Sequence, residues 1–140
     1  MPAYDSNLFN PPAPLARVSL RAPHNGNVVS GVPMLIDSGS DLTLIPESSI
    51  DELNLDLDQN ESYELTGFDG HKSLAKSVQL DLVFLGRTFK GRFVVVNSEC
   101  GILGRNVLNR FALLLDGPGL SWELKGLVRV VLLACLLASR

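Results

Sequence analysis

The chain has 140 residues, 46% hydrophobic and 19% charged, which is the length of one domain and the composition of a globular protein, not a disordered or collagen-like one. Its 12 Lys plus Arg against 15 Asp plus Glu give a net charge of -3, leaving no basic footprint for nucleic acid and no polybasic patch for a membrane surface. Cys100 and Cys135 lack CxxC spacing, and His24 and His71 stand apart from each other and from both cysteines, which argues against a disulfide scaffold and against a metal site.

Taken in chain order, residues 1–14 hold Pro2, Pro11, Pro12 and Pro14 among Asn, Ser and Ala. That composition disfavours helix and ladder alike and reads as a flexible leader. It also lacks a charged start followed by an apolar run, so a cytoplasmic, reducing setting is expected. The Asn60-Glu61-Ser62 sequon carries no weight without a secretory context. Apolar runs at Ala16 to Leu20 and Val28 to Ile36, separated by Pro23, Asn25, Gly26 and Asn27, predict a first hairpin.

Pro46 followed by Glu47 and Asp51 predicts a short helix from Glu47 to Leu53, and the polar stretch Asn54 to Ser62 reads as a loop. Val78, Leu80 and Leu82 alternate with Gln79, Asp81 and Val83, and Phe89 to Val96 forms the other arm of a half-buried hairpin around Leu85-Gly86. A turn of helix at Arg105 to Arg110 leads to Phe111–Leu115, the turn Asp116-Gly117-Pro118-Gly119, and alternating Leu120, Trp122 and Leu124. The fold class is therefore all-β, a small closed barrel or folded-over sheet with one or two short helices.

Chemistry concentrates in Met34-Leu35-Ile36-Asp37-Ser38-Gly39-Ser40-Asp41-Leu42-Thr43, where a carboxylate ends an apolar strand at a Gly-containing turn. A carboxylate placed there needs hydrogen-bond donors or a changed protonation state, and Ser38, Ser40 and the turn's N–H groups are candidate donors. On this segment alone an ordinary Asx turn between two strands is the better reading. A second segment, Gly101-Ile102-Leu103-Gly104-Arg105-Asn106-Val107-Leu108, follows further along.

Together the two segments resemble those of the retropepsin-like aspartic peptidases, single-lobe relatives of retroviral proteases, over Leu15 to Leu124. The resemblance implies an acid-protease lobe over 15–125 and makes Asp37 the catalytic aspartate, with Ser38 bracing the turn and Gly39 letting substrate approach. It implies that Ser40 and Asp41 contact substrate, that Asp41 pairs with Arg105, and that Gly104, Arg105 and Asn106 support the turn, Asn106 near Thr43. Tyr63–His71 occupies the place of the family's flap, which the resemblance sets near residues 63–75, so Gly67, Phe68, Asp69 and Gly70 become substrate-side residues. The tip departs from retroviral flaps in lacking a run of glycines.

Peptide hydrolysis in aspartic proteases uses two carboxylates that share a proton, and one chain supplies only Asp37. The resemblance therefore implies a homodimer acting on a peptide or protein substrate, without cofactor or metal. The alternative is a non-catalytic retropepsin-like module that binds peptide or dimerises. A phosphorylation signal at Asp37-Ser38-Gly39 is disfavoured because apolar strand residues flank it.

Elsewhere Asp69 and His71 read as exposed turn residues, Cys100 as a small partly buried residue and Trp122 as core. The apolar stretch Leu127 to Ala138 is shorter than a bilayer span of roughly 20 residues. It reads first as an element packed on the domain or its dimer partner, with a partial membrane anchor or an unrelated end as alternatives.

Overall fold

A computed structural model describes residues 2–55, 58–67 and 69–125. Ten strands and two short helices follow in the order β1 (Tyr4–Asp5), β2 (Ala13–Arg21), β3 (Val28–Ile36), β4 (Leu44–Pro46), α1 (Glu47–Leu53), β5 (Asp58–Thr66), β6 (Lys72–Phe84), β7 (Arg87–Val96), β8 (Gly101–Leu103), α2 (Arg105–Leu108), β9 (Leu113–Asp116) and β10 (Ser121–Leu124). The fold is all-β, as the strand patterning predicts.

Eight strands share one sheet in the order β1-β2-β3-β8-β4-β7-β6-β5, and a further β2–β6 pairing at Ser19↔Val83, Leu20↔Leu82 and Arg21↔Asp81 turns its central part into a ring. Inside the ring Leu20, Met34, Ile45, Leu80, Leu82 and Leu103 are fully buried. Each is the inward member of an alternating strand, so one apolar face per strand closes a common core. The β6–β7 hairpin turns through Leu85 and Gly86, both at positive φ (50° and 78°), the backbone that a tight two-residue hairpin requires. Helix α1 ends at Asn54, whose left-handed φ of 57° stops it where the sequence signals place its end.

Three expectations change. Residues 2–14 are not a loose leader throughout: Tyr4 and Asp5 pair with Pro14 and Ala13, and the Leu15 N–H donates to the Ala3 carbonyl. A proline lacks only its N–H, so a Pro-rich stretch still pairs along an edge that uses its carbonyls. The stretch Asn54 to Ser62 is not all loop, because β5 begins at Asp58 and pairs with β6 from Asp58↔Ser77 onward. As a terminal strand of the sheet it has the polar character that edges tolerate. Asp81, read as the outward partner of Leu80 and Leu82, is only 6% exposed. The β2–β6 contact covers it, and Arg21 meets its Oδ2 through Nε (3.1 Å) and Nη2 (2.9 Å).

Outside the ring, β9 and β10 form a two-stranded sheet with Trp122 opposite Leu115. Trp122 is buried, and its indole N–H donates to the Leu15 carbonyl at 3.0 Å. Phe84 lies beside it, ring centroids 5.9 Å apart, and Phe84 also packs edge-on against Phe111. Trp122 is core, as expected. No helix among the described residues is long and apolar enough to cross a membrane, and the 126–140 tail with Cys135 lies outside the described residues.

Candidate active site

Strand β3 delivers Asp37. Its last residues run parallel to β8, Ile36 beside Leu103, and the Asp37 N–H continues the ladder by donating to the Leu103 carbonyl at 3.1 Å. The backbone then turns: the Ser40 N–H donates to the Asp37 carbonyl (3.2 Å) and the Gly39 N–H to Asp37 Oδ1 (2.9 Å). A Cβ on Gly39 would stand 3.1 Å from that same oxygen, a tight contact that would oblige the carboxylate to shift by a few tenths of an ångström. Among the described residues no hydrogen bond engages Asp37 Oδ2. The carboxylate is half-buried, whereas Ser38 and Gly39 are exposed.

The Ser38 and Ser40 hydroxyls do not serve the carboxylate. Ser40 Oγ donates to the Leu42 carbonyl at 2.7 Å, and Ser38 presents its backbone carbonyl to Arg105 Nη1 at 2.8 Å. The backbone N–H of Gly39 is the donor that the sequence reading required.

The second segment locks the first in place. The Arg105 N–H donates to the Ser40 carbonyl at 2.8 Å. Thr43 Oγ1 donates to Asn106 Oδ1 at 2.7 Å and accepts the buried Gly104 N–H at 3.0 Å. A Cβ on Gly104 would collide with the Leu42 carbonyl and crowd that of Ser40, so only glycine lets the two segments meet. The expected contact between Asn106 and Thr43 is present. The expected Asp41–Arg105 ion pair is not: among the described residues Arg105 makes no salt bridge, and its guanidinium reaches the Ser38 carbonyl instead. Asp41 is exposed and lines the cleft.

That cleft, of about 660 Å³, lies between the Asp37 turn and the β5–β6 hairpin. Its turn side carries Asp37, Gly39, Ser40 and Asp41; its hairpin side carries Gly67, Asp69 and His71. The tip is held by its own backbone, Gly67 N–H to the His71 carbonyl and Gly70 N–H to the Gly67 carbonyl, both at 3.0 Å. Asp69 Oδ1 accepts the His71 N–H at 2.9 Å. Asp69 and His71 are both exposed. Lys72 and Glu64 form an ion pair of 3.1 Å across the strands. Phe68 lies outside the described residues.

Sequence reasoning missed the apolar walls of the cleft, Leu42 beside the turn and Leu44 and Ile102 from the sheet; Glu64, Leu65, Thr66 and Ser73 belong to the segment expected as the flap. Ile102 could have been found only by knowing that β8 runs beside β3. Among the described residues no group of three or more His, Cys, Asp and Glu side chains could hold a metal ion.

The family model described as "Aspartyl protease" matches residues 20–107, well over half the chain. A search of curated protein sequences returns no match. Among solved structures, the fold is similar to that of EIAV protease complexed with the inhibitor HBY-793, with a TM-score of 0.52 and 22% identity over 70% of this chain and 86% of that one. It is also similar to a retropepsin-like aspartic protease from Rickettsia conorii, with a TM-score of 0.53 and 17% identity over 77% of this chain and 80% of that one. At these identities the likeness shows a shared fold, the retropepsin-like single lobe. With the Asp37 turn and the segment that braces it both inside the matched region, the chain belongs to the aspartyl protease family.

Proposed function

We propose that the chain is an aspartic endopeptidase whose working form is a homodimer, with Asp37 from each subunit making a two-carboxylate site. The observation that carries this reading is the state of Asp37: Oδ1 accepts one backbone N–H, and no hydrogen bond of the described residues engages Oδ2, beside a cleft open to a peptide. In a two-fold assembly the facing carboxylates share one proton, because two like charges a few ångströms apart do not both ionise freely. The ionised partner takes a proton from the attacking water while the protonated one delivers its own to the carbonyl oxygen.

The β5–β6 hairpin acts as a flap that closes over substrate, with Gly67, Asp69 and Gly70 at its tip. Ser40 and Asp41 face the peptide main chain. Ser38 braces the turn through its carbonyl, and Gly104, Arg105, Asn106 and Thr43 hold its shape. Residues 15–125 form the peptidase domain, to which residues 2–5 add a strand. The lack of a disulfide-type cysteine pattern supports a reducing, cytoplasmic setting.

The test is cleavage of a mixed peptide library at mildly acid pH by the wild-type chain and by Asp37→Asn. Loss of cleavage with the dimer retained is expected. Persistent cleavage by the variant refutes the reading, and peptide binding without turnover by the wild type points to a non-catalytic module instead.

A further inference from the structure

The charge that lines the cleft is one-sided. Asp37 and Asp41 face it from the turn, Glu64 and Asp69 from the β5–β6 hairpin, and no lysine or arginine is among the described residues that line it. The chain as a whole is nearly balanced, with 12 Lys plus Arg against 15 Asp plus Glu, so the cleft is far more acidic than the chain around it. The cations gather elsewhere. Arg21 lies opposite Asp81, Asp81 opposite Lys90 and Gln79 opposite Arg92, which puts Arg17, Arg21, Lys90 and Arg92 together on the outward face of β2 and β7.

The cleft's carboxylates are open to a ligand. Asp69 gives Oδ1 to the His71 N–H of its own turn, and among the described residues no hydrogen bond engages Oδ2. Glu64 pairs with Lys72 at 3.1 Å, but both side chains are more than half exposed, so an incoming cation exchanges with Lys72 at little cost. Two observations define the cation. The carboxylates do not converge as a chelate: among the described residues no group of three His, Cys, Asp or Glu side chains could hold a metal ion. The cleft walls between them are apolar, Leu44 and Ile102 from the sheet and Leu65 from the hairpin. An apolar wall that leads to a carboxylate suits a side chain with a hydrocarbon stem and a charged head, which is lysine or arginine.

We propose that the cleft selects peptides carrying Lys or Arg beside the scissile bond, with Asp69 at the hairpin tip as the specificity-determining carboxylate. This rests on the peptidase reading given above. Glu64 on the same hairpin and Asp41 across the cleft add to the field that Asp69 sets up, and the apolar walls that exclude water strengthen it. The same field turns acidic peptides away, because each glutamate or aspartate would meet like charge on both sides of the cleft.

The test uses the full chain and paired peptides in which one lysine is moved through each position of an otherwise neutral sequence, against the same peptides with acetyl-lysine, which keeps the stem and removes the charge. At the best position the wild type is expected to show a kcat/KM about tenfold higher for lysine, a ratio that shrinks as salt rises from about 0.05 to 0.5 M. Asp69→Asn, which keeps an acceptor for the His71 N–H, should cut the ratio about threefold, and Asp69→Lys should abolish it. A merely structural role for Asp69 would lower both members of each pair alike and leave the ratio in place. Binding of the same peptides to Asp37→Asn, read by fluorescence anisotropy, is the second arm. Equal cleavage of lysine and acetyl-lysine peptides at every position, or a ratio unmoved by Asp69→Lys, overturns the inference and leaves the peptidase reading standing. Tighter binding of the lysine peptides with no cleavage by the wild type keeps the selection and removes the peptidase reading. Neither cleavage nor a binding preference overturns both.

Discussion

Thr43 and Asn106, 63 positions apart in the chain, are joined by a 2.7 Å hydrogen bond, and the same threonine oxygen accepts the buried N–H of Gly104. One hydroxyl thus ties the strand that leaves the Asp37 turn to the start of α2. Thr43→Val keeps the volume and removes both bonds, leaving a buried N–H and an amide oxygen without their partner. A loss of about 2 kcal/mol is expected, read as a lower urea midpoint at unchanged m-value. Thr43→Ser should recover most of it, and equal losses in the two variants would show that the methyl group, not the hydroxyl, matters.

Gly104→Ala tests the close approach of the two segments. The added Cβ meets the carbonyls of Leu42 and Ser40, which are backbone and cannot rotate away. The expected loss is about 3 kcal/mol, at the upper end for overpacking, with activity falling further than stability because the Asp37 turn is what shifts. A thermal melt and a peptide-cleavage assay on the same sample separate the two. A variant within about 0.5 kcal/mol of wild type would mean that the segments slide apart without cost.

Arg105 separates activity from stability more sharply. Its guanidinium is exposed and holds the Ser38 carbonyl at 2.8 Å, so Arg105→Ala removes a hydrogen bond worth about 1 kcal/mol or less. The turn it steadies carries the reacting carboxylate, and small misplacements there are magnified in rate, on the order of 10- to 100-fold. The prediction is a folded variant with a much reduced kcat and little change in KM. Full activity would show that the backbone bond from the Arg105 N–H to Ser40 suffices.

Much of this arrangement is legible in the residues because it is local. Strand alternation at Val78–Leu82, the Pro46 start of α1 and the glycine-bearing turn after Asp37 depend on near neighbours. What was not legible depends on partners distant in sequence. Tyr4 and Asp5 look like leader until Ala13 and Pro14 lie beside them, and Asp58 looks like loop until β6 extends far enough to pair with it. Arg105 belongs to a motif that leads one to expect Asp41, yet the side chain finds the nearer acceptor at Ser38. The cleft residue Ile102 was invisible for the same reason, since its place follows from β8 running parallel to β3.

Cys100 gives a pH prediction with a definite sign. Burial pushes its thiol above the ordinary value of 9.0, with Asp5 adding to the rise and a backbone hydrogen bond from Leu35 and the charge of Arg17 opposing it. The folded state therefore holds the proton more tightly than the unfolded state. This stabilisation is complete below the unfolded value and is lost as pH rises through the folded one. Urea midpoints should fall as pH rises past the ordinary thiol value of 9.0, and less steeply in Cys100→Ala. Alkylation read at the Cys100 peptide should also be slower than for a free thiol at the same pH. Parallel midpoint curves for the two proteins would remove the assignment.

A site shared between two chains makes activity depend on composition in a way that a single-chain site cannot. If Asp37 from both subunits is required, subunits of wild type and Asp37→Asn that exchange freely at equal concentration leave about one quarter of dimers fully wild type. Activity per wild-type chain should then fall to about half, and plotted against the wild-type fraction, total activity should follow a square law. A straight line through the origin would mean that each chain acts alone. The exchange can be verified independently, because a fluorophore pair on the two proteins reports mixed dimers as energy transfer. The rate curve is interpretable once that signal is complete, since unexchanged dimers would also give a straight line. Curvature together with complete exchange is the result expected of a site in which neither carboxylate works without the other.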